Sequence, residues 1–482
     1  MNPTTRRAGW MAALGLALTG CGSLAPPYER PPAPVAERFI ANGGAAVGVP
    51  GTSTATPLTG NAAAIPLAAE LAWQDFFGDA RLKQLIGLAL HNNRDLRVAV
   101  LRIEQARAQF QLRSADEVPT LGAGLAASRL ANGSGSASTT YSAGLVLSAY
   151  ELDLFGRVRS LSDAALAQVL ATEEARKAVQ INLVAAVANA HLALQADEEL
   201  LAVTRQTLDS REASWRLVKL KFEHGAASEI DLRQAESLRA TALVAQAQQT
   251  RQRLLDENAL VLLIGQPLPG GLPAALGLGD PQTLPELPAG LPSEVLARRP
   301  DVRAAEQQLI AANAGIGAAR AAFFPRITLT GSLGVASGEL SGLTRAGASA
   351  WSLAPQLLQP LFDGGRNQAG LAQAQVGRDI ALAQYEQALQ AAFREVADAL
   401  GGRALLNDQR SAQRAQFEAE TSRARLAELR YRSGTASFLE LLDARRSLFA
   451  AQQALIQTQL QQWQNGVALY KALGGGWTAS PE

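Results

Sequence analysis

The chain has 482 residues, enough for two or three ordinary domains, yet only 5% are aromatic and the helix formers alanine, leucine, glutamine and arginine are abundant, which favours long helices over a large globular core. Its formal net charge is +1, falling to −1 once Arg6 and Arg7 leave with a cleaved leader, so nucleic-acid binding through a basic field has no support. Cys21 is the only cysteine, which excludes a disulfide within the chain.

Residues 1–20 have the proportions of a signal peptide. Arg6 and Arg7 form a basic region, Trp10 to Leu18 an apolar run of about nine residues, and Leu18-Thr19-Gly20-Cys21 follows. The run is too short for a membrane-spanning helix. Those last four residues resemble the lipobox of bacterial lipoproteins, which implies a lipid on Cys21 as the new N-terminus; the alternative is an incidental cysteine in an ordinary leader. Gly22, where an aspartate would signal retention, resembles the outer-membrane-sorted lipoproteins. Residues 21–70 are rich in proline, glycine and alanine and read as an extended tether or wrap.

Residues 71–265 form a first repeat of helix, β-hairpin and long helices, and a proline-rich linker covers 266–292. A second repeat follows over 293–476, then a short tail over 477–482. The stretch from Lys221 to Gly265 is restated without a gap about 209 residues later, from Arg430 to Gly474. Gly225, Ser228, Leu232 and Ala235 recur as Gly434, Ser437, Leu441 and Ala444, which means two structural copies.

Four segments depart from helical character: about Pro119 to Leu130, Thr140 to Phe155, Arg326 to Ala336 and Ala350 to Phe362. In the third, Ile327, Leu329, Leu333 and Val335 alternate with Thr328, Thr330, Ser332 and Gly334, the period of a strand. Gly-Ser-rich turns join the four in two hairpins, and each is long enough to cross a membrane as a tilted strand. Phe155, Phe323, Phe324, Trp351 and Phe362 cluster near the ends, as interfacial aromatics do. The alternative is a pair of soluble hairpins. Four strands cannot close a barrel, and open edges in lipid strand their backbone groups, so membrane hairpins must be pooled; three copies give about twelve strands.

The helices are long. Residues 157–224 hold neither proline nor glycine, and 366–433 no proline and few glycines, so each span can run helical for roughly 100 Å. Leu441, Ala444, Leu448, Ala451 and Leu455 follow the three-four rhythm of a coiled-coil seam, as do Leu183, Val187, Ala190 and Leu194. Alanine at many seam positions permits close approach around a wall rather than a solid core.

With these residues in view the chain resembles the TolC-like outer-membrane efflux ducts, in particular the lipoprotein (OprM/NodT-type) branch that serves RND multidrug pumps. The most specific stretches are Leu291 to Val302, Phe323-Phe324-Pro325, Leu361 to Gly365, Tyr431 to Gly434, Leu441 to Ala444 and Tyr470 to Trp477. The resemblance implies a mixed α/β membrane duct of two internal repeats, with four transmembrane β-strands per chain forming a twelve-stranded barrel in a homotrimer. A long α-helical coiled-coil barrel would extend into the periplasm of a bacterial cell. It also implies outer-membrane lipid around the barrel, a periplasmic adaptor protein and an inner-membrane RND pump as partners, drugs and other small amphiphiles as cargo, and no cofactor beyond the lipid on Cys21.

The same resemblance assigns the site. Gly225 and Gly434 would be the turns at the periplasmic tip, and the acidic residues six and nine positions later would ring the closed aperture: Glu440 and Asp443 in the second copy, Asp231 and the neutral Gln234 in the first. Grouped by three-fold symmetry, such carboxylates attract cations; the alternative is a set of solvated carboxylates on a helix face. Tyr431, three positions before Gly434, would bolt the tip to Asp231. An arginine expected two positions after Gly434 is Ala436 here, which leaves Arg430 or Arg432 as a substitute tie.

Catalytic chemistry finds no foothold. His91, His191 and His224 stand on predicted helices without a paired carboxylate or cysteine at metal-ligand spacing, and no phosphate-cradling loop precedes a helix. Two rivals to a drug-efflux duct stay open: the outer-membrane duct of a type I protein secretion system, and a periplasmic coiled-coil adaptor without a pore, which would lack lipid-spanning strands.

Overall fold

A computed structural model of the chain describes residues 23–36, 71–131, 137–279 and 293–478. The leader, Cys21, the greater part of the 21–70 segment and residues 280–292 of the linker lie outside them, so the lipid attachment on Cys21 is not addressed by the fold.

Among the described residues eight α-helices and four strands succeed one another. They are α1 (Trp73–Phe76), α2 (Ala80–Asn92), α3 (Arg94–Ala115), β1 (Leu121–Ala131), β2 (Ala137–Leu152), α4 (Arg157–Glu223) and α5 (Glu229–Ile264). After the linker come α6 (Pro300–Ala321), β3 (Arg326–Ser337), β4 (Ser349–Leu358), α7 (Arg366–Arg432) and α8 (Phe438–Ala472). The order helix, hairpin, long helix, helix occurs twice, as the repeat requires. Compactness cuts the chain differently: one unit takes Met1–Ala33, Val100–Ala175 and Arg303–Ala388, the other Pro34–Ala99, Arg176–Val302 and Leu389–Glu482, so each unit draws on both repeats.

The first unit holds the sheet, an antiparallel meander in the order β1-β2-β3-β4 that leaves β1 and β4 as open edges. Register sorts its side chains. Leu121, Leu125, Leu145, Leu147, Leu329, Leu333, Trp351, Leu353 and Leu357 stand on one face, while Gly122, Gly124, Ser142, Gly144, Thr328, Thr330, Ser332, Ser352 and Gln356 stand on the other. The apolar face is bare in the single chain, with Leu125 and Trp351 each 77% exposed. A monomeric soluble protein seldom leaves so continuous an apolar surface uncovered.

One irregularity keeps this sorting intact. Between the pairs Leu147–Gly331 and Tyr150–Leu329, β2 carries an extra residue. Without that bulge Glu151 would share the face of Leu147; with it, Glu151 pairs with Thr328 on the small, polar face. There its carboxylate takes both Nε and Nη2 of Arg157 at 2.7 Å and Nε of Arg326 at 2.6 Å. Ala149 sits at the bulge with φ 43°, a left-handed conformation that costs an alanine about 1 kcal/mol. Higher up, Gly144 and Gly334 face one another so closely that a Cβ on Gly144 would meet Leu333 O and stand 2.6 Å from Gly334 Cα. Only glycine permits β2 and β3 this approach.

Residues 23–36 form no helix or strand, and several of them lie along α6. Asn313 Nδ2 donates to Pro26 O at 2.7 Å, Arg320 Nη1 to Leu24 O at 3.1 Å, and Arg30 grips Glu306 through two bonds of 2.7 and 3.0 Å. Tyr28 O–H donates to the same carboxylate at 3.1 Å. Residues 23–36 are therefore fastened along α6 by side-chain bonds to their backbone and to the shared Glu306 carboxylate, the means open to a stretch with no core of its own.

In the second unit the predicted seam is buried at Leu183, Val187 and Leu194 on α4 and at Leu441, Ala444 and Ala451 on α8. Tyr470 stacks on Phe76 with centroids 3.8 Å apart, and its hydroxyl donates to Leu71 O at 2.6 Å. One 18-residue window of α4 is apolar enough to cross a membrane by composition, but 56% of it is buried within the chain.

His191 corrects the expectation of isolated histidines. Its Nε2 lies 2.9 Å from Asp79 Oδ2, a partner 112 residues away, and both side chains are at most 3% exposed. Asp79 also caps α2 by accepting from Arg81 N at 2.7 Å. Burial pushes the Asp79 carboxyl up, but the hydrogen bond and charge of His191 prevail and hold it below the usual range. The pair ties α2 to α4 in the core.

Between α4 and α5 two carboxyls face each other. Burial and the adjacent Asp256 push Asp197 up to about 7, with Arg253 opposing weakly. The folded value lies above the unfolded one, so this group's contribution to stability is complete below about pH 4 and is lost as pH rises towards 7. Asp197→Asn is expected to match the wild type in thermal stability at pH 4 and to exceed it at pH 8, as read by melting followed through circular dichroism at both pH values.

Candidate functional site

The two turns at Gly225 and Gly434 have the same construction. Gly225 (φ 71°) ends α4 and Gly434 (φ 76°) ends α7. In each, the glycine N–H returns to the residue three before it (Phe222 O, 2.9 Å; Tyr431 O, 3.1 Å) and the N–H of the following residue, Ala226 or Thr435, to the residue five before that one (Lys221 O, 2.7 Å; Arg430 O, 2.9 Å). This is the double bond of a Schellman end, which needs a left-handed residue and so selects glycine. Three residues on, Ser228 Oγ accepts from Asp231 N at 3.1 Å and Ser437 Oγ from Glu440 N at 3.2 Å, starting α5 and α8. Stop, turn and start are thus written by the repeated Gly-x-x-Ser spacing.

The hairpins are knit by small apolar residues. Leu441 and Ala444 pack on Ala424 and Ala427, and Leu232 and Ala235 pack on Val218. Phe438 touches both clusters and lies 5.6 Å from the Tyr431 ring, joining the two hairpins of one chain.

The acidic residues differ in their surroundings. Asp231 completes a capping box, its Oδ2 accepting from Ser228 Oγ at 2.7 Å and Ser228 N at 3.2 Å. Glu440 accepts from Arg430 Nη1 at 2.5 Å. Asp443 accepts from Arg423 Nη2 and Arg446 Nη2, each at 2.5 Å. The hydrogen bond and charge of Arg423, aided by Arg446, hold the Asp443 carboxyl below its usual value, and Arg423 is raised in turn. Solvent screens such exposed pairs, so they contribute little to stability, but they fix where the charge sits.

Tyr431 does not meet Asp231 within the chain. Its hydroxyl accepts from Lys221 Nζ at 3.3 Å, and the ammonium lies 5.3 Å from the ring centroid. Asp231 is occupied by its own cap. Of the substitute ties, Arg430 is engaged with Glu440 and with Thr435 O at 3.4 Å, while Arg432 turns back to Glu428 on its own helix. Lys221, Arg423 and Arg446 escaped the sequence reading. Their signal was present: positions at similar distances from a tight turn face each other across a helical hairpin, which places Arg423, eleven before Gly434, opposite Asp443, nine after it.

Comparison with known proteins identifies the family. Residues 85–266 and 291–475 match the family model of outer membrane efflux proteins. The chain is 45% identical over 476 residues to the outer membrane protein OprJ of Pseudomonas aeruginosa, covering 97% of this chain and 96% of OprJ. It is 44% identical over 472 residues to the solvent efflux pump outer membrane protein SrpC of Pseudomonas putida, covering 96% and 97%. The open-state crystal structure of the MtrE outer membrane channel of Neisseria gonorrhoeae is similar at a TM-score of 0.82 with 40% identity, covering 95% of this chain and 99% of MtrE.

Proposed function

The chain belongs to the outer membrane efflux protein family, and from that premise we propose that it is the outer-membrane channel of a tripartite efflux system: a trimeric, gated conduit through which drugs and other small amphiphiles pass from periplasm to exterior. The observation that carries this reading is the two-faced sheet with open edges at β1 and β4. In lipid such edges are tolerable only when closed, and three chains placing β4 beside the next chain's β1 close a barrel of twelve strands. The Leu-rich face then meets lipid and the Gly, Ser and Thr face lines the pore.

Energy comes from elsewhere in this reading. An inner-membrane RND pump drives transport and a periplasmic adaptor joins it to the tip turns, while Cys21 carries an accessory lipid anchor and the chain itself performs no catalysis. The adaptor alternative has no use for a sheet with a bare apolar face. A type I secretion duct would share the architecture, but SrpC is named for solvent efflux, and small amphiphilic cargo is assigned here on that likeness.

Purified chain added to one side of a planar lipid bilayer is expected to give discrete ion-conducting steps. Binding to the bilayer without conduction would instead support a poreless adaptor.

A further inference from the structure

The family resemblance implies that carboxylates at the tip form an anionic ring selecting cations. The charges of this chain are arranged otherwise. Glu440 is engaged by Arg430, and Asp443 by both Arg423 and Arg446. Of the three acidic residues at the aperture only Asp231 lacks a guanidinium among its hydrogen-bond partners, and it is held by Ser228. Three guanidiniums therefore accompany three carboxylates.

The surroundings do not restore a negative field. Glu420 shares Arg423, and Glu428 is taken by Arg432 and Arg445. On the first hairpin Arg233 bridges Glu229 and Glu236. Within fourteen residues on either side of Gly225 six basic side chains accompany five acidic ones, and around Gly434 six accompany four. A carboxylate in contact with a guanidinium presents a dipole, whose field fades within a Debye length of about 8 Å at physiological salt. The proposed pore lining adds little, since Glu151 and Arg326, the charged residues on the small, polar face of the sheet, pair with each other.

We propose that the periplasmic mouth of this duct does not filter by charge, and that Arg423, Arg430 and Arg446 are the specificity-determining residues that cancel the aperture carboxylates and admit anionic, neutral and cationic amphiphiles alike. The proposal rests on the conduit reading above and concerns what the conduit lets through. In the single chain all three are at least 47% exposed, so no core packing within the chain calls for them.

The test is the reversal potential of the purified trimer in a planar bilayer under a KCl gradient, for the wild type and for Arg423→Gln/Arg430→Gln/Arg446→Gln. The wild type is expected to show a potassium-to-chloride permeability ratio within about twofold of unity, and the triple variant a ratio raised about fivefold or more, as unmasked carboxylates at a constriction demand. Glu440→Gln/Asp443→Asn is expected to move the ratio the opposite way. A wild-type channel with strong cation preference, or a triple variant with unchanged selectivity, overturns the charge-cancellation proposal while leaving the conduit standing. No current from the wild type or from a variant with its hairpin tie removed (Lys221→Met/Tyr431→Phe) overturns the conduit reading itself.

Discussion

Leu125→Arg combined with Leu353→Arg is expected to abolish the membrane-inserted trimer, whereas Ala126→Arg combined with Ala354→Arg, one position along in each strand, is expected to leave it intact. Leu125 on β1 and Leu353 on β4 stand near the strand centres on the apolar face, and Ala126 and Ala354 on the small, polar one. An arginine facing lipid at the bilayer centre costs about 2–4 kcal/mol. Two per chain over three chains give at least about 12 kcal/mol, comparable with the whole stability of an ordinary domain at about 5–15 kcal/mol. An arginine facing a water-filled lumen costs little. The readout is the yield of heat-modifiable trimer in outer-membrane fractions. Equal loss in both variants, or equal tolerance, would contradict the assignment of the two faces.

The second large effect is expected at the tip. Lys221 on α4 and Tyr431 on α7 join the two hairpins of one chain through the 3.3 Å bond and the ring contact. A bond of this kind contributes about 1 kcal/mol net. Three symmetric copies contribute about 3 kcal/mol, which corresponds to roughly a hundredfold change in the ratio of open to closed states. Lys221→Met with Tyr431→Phe is therefore expected to raise mean single-channel conductance at least about tenfold in planar bilayers. Asp231→Ala is expected to cost about 1 kcal/mol of α5 stability through the lost capping box while leaving conductance near the wild type. If Asp231→Ala opens the channel and the Lys221 and Tyr431 pair does not, the tie runs through Asp231 after all.

Local pattern explains what could be read in advance. The alternation of Ile327, Leu329, Leu333 and Val335 with small polar residues identified β3, and the recurrence of Gly225 and Ser228 as Gly434 and Ser437 located both turns, because strand period and helix caps are properties of neighbouring residues. The bulge before Tyr150 was hidden, since it arises from pairing with β3, and its effect on Glu151 depends on that register. His191 looked solitary because Asp79 is distant in sequence. The positions of Asp231, Glu440 and Asp443 were legible but their hydrogen-bond partners were not. Arg423 reaches Asp443 only once α7 and α8 fold back on each other. The family resemblance that implies an anionic ring names the carboxylates and not their partners across the hairpin.

In this account the strands, and not a lipid on Cys21, place the protein in the membrane as a closed trimer. The most direct test is the native mass and detergent requirement of Cys21→Ser exported with a non-lipoprotein leader, so that only the anchor is lost. A stable trimer that still requires detergent is the predicted result. A soluble monomer or dimer would contradict it and return the chain to the class of periplasmic coiled-coil proteins.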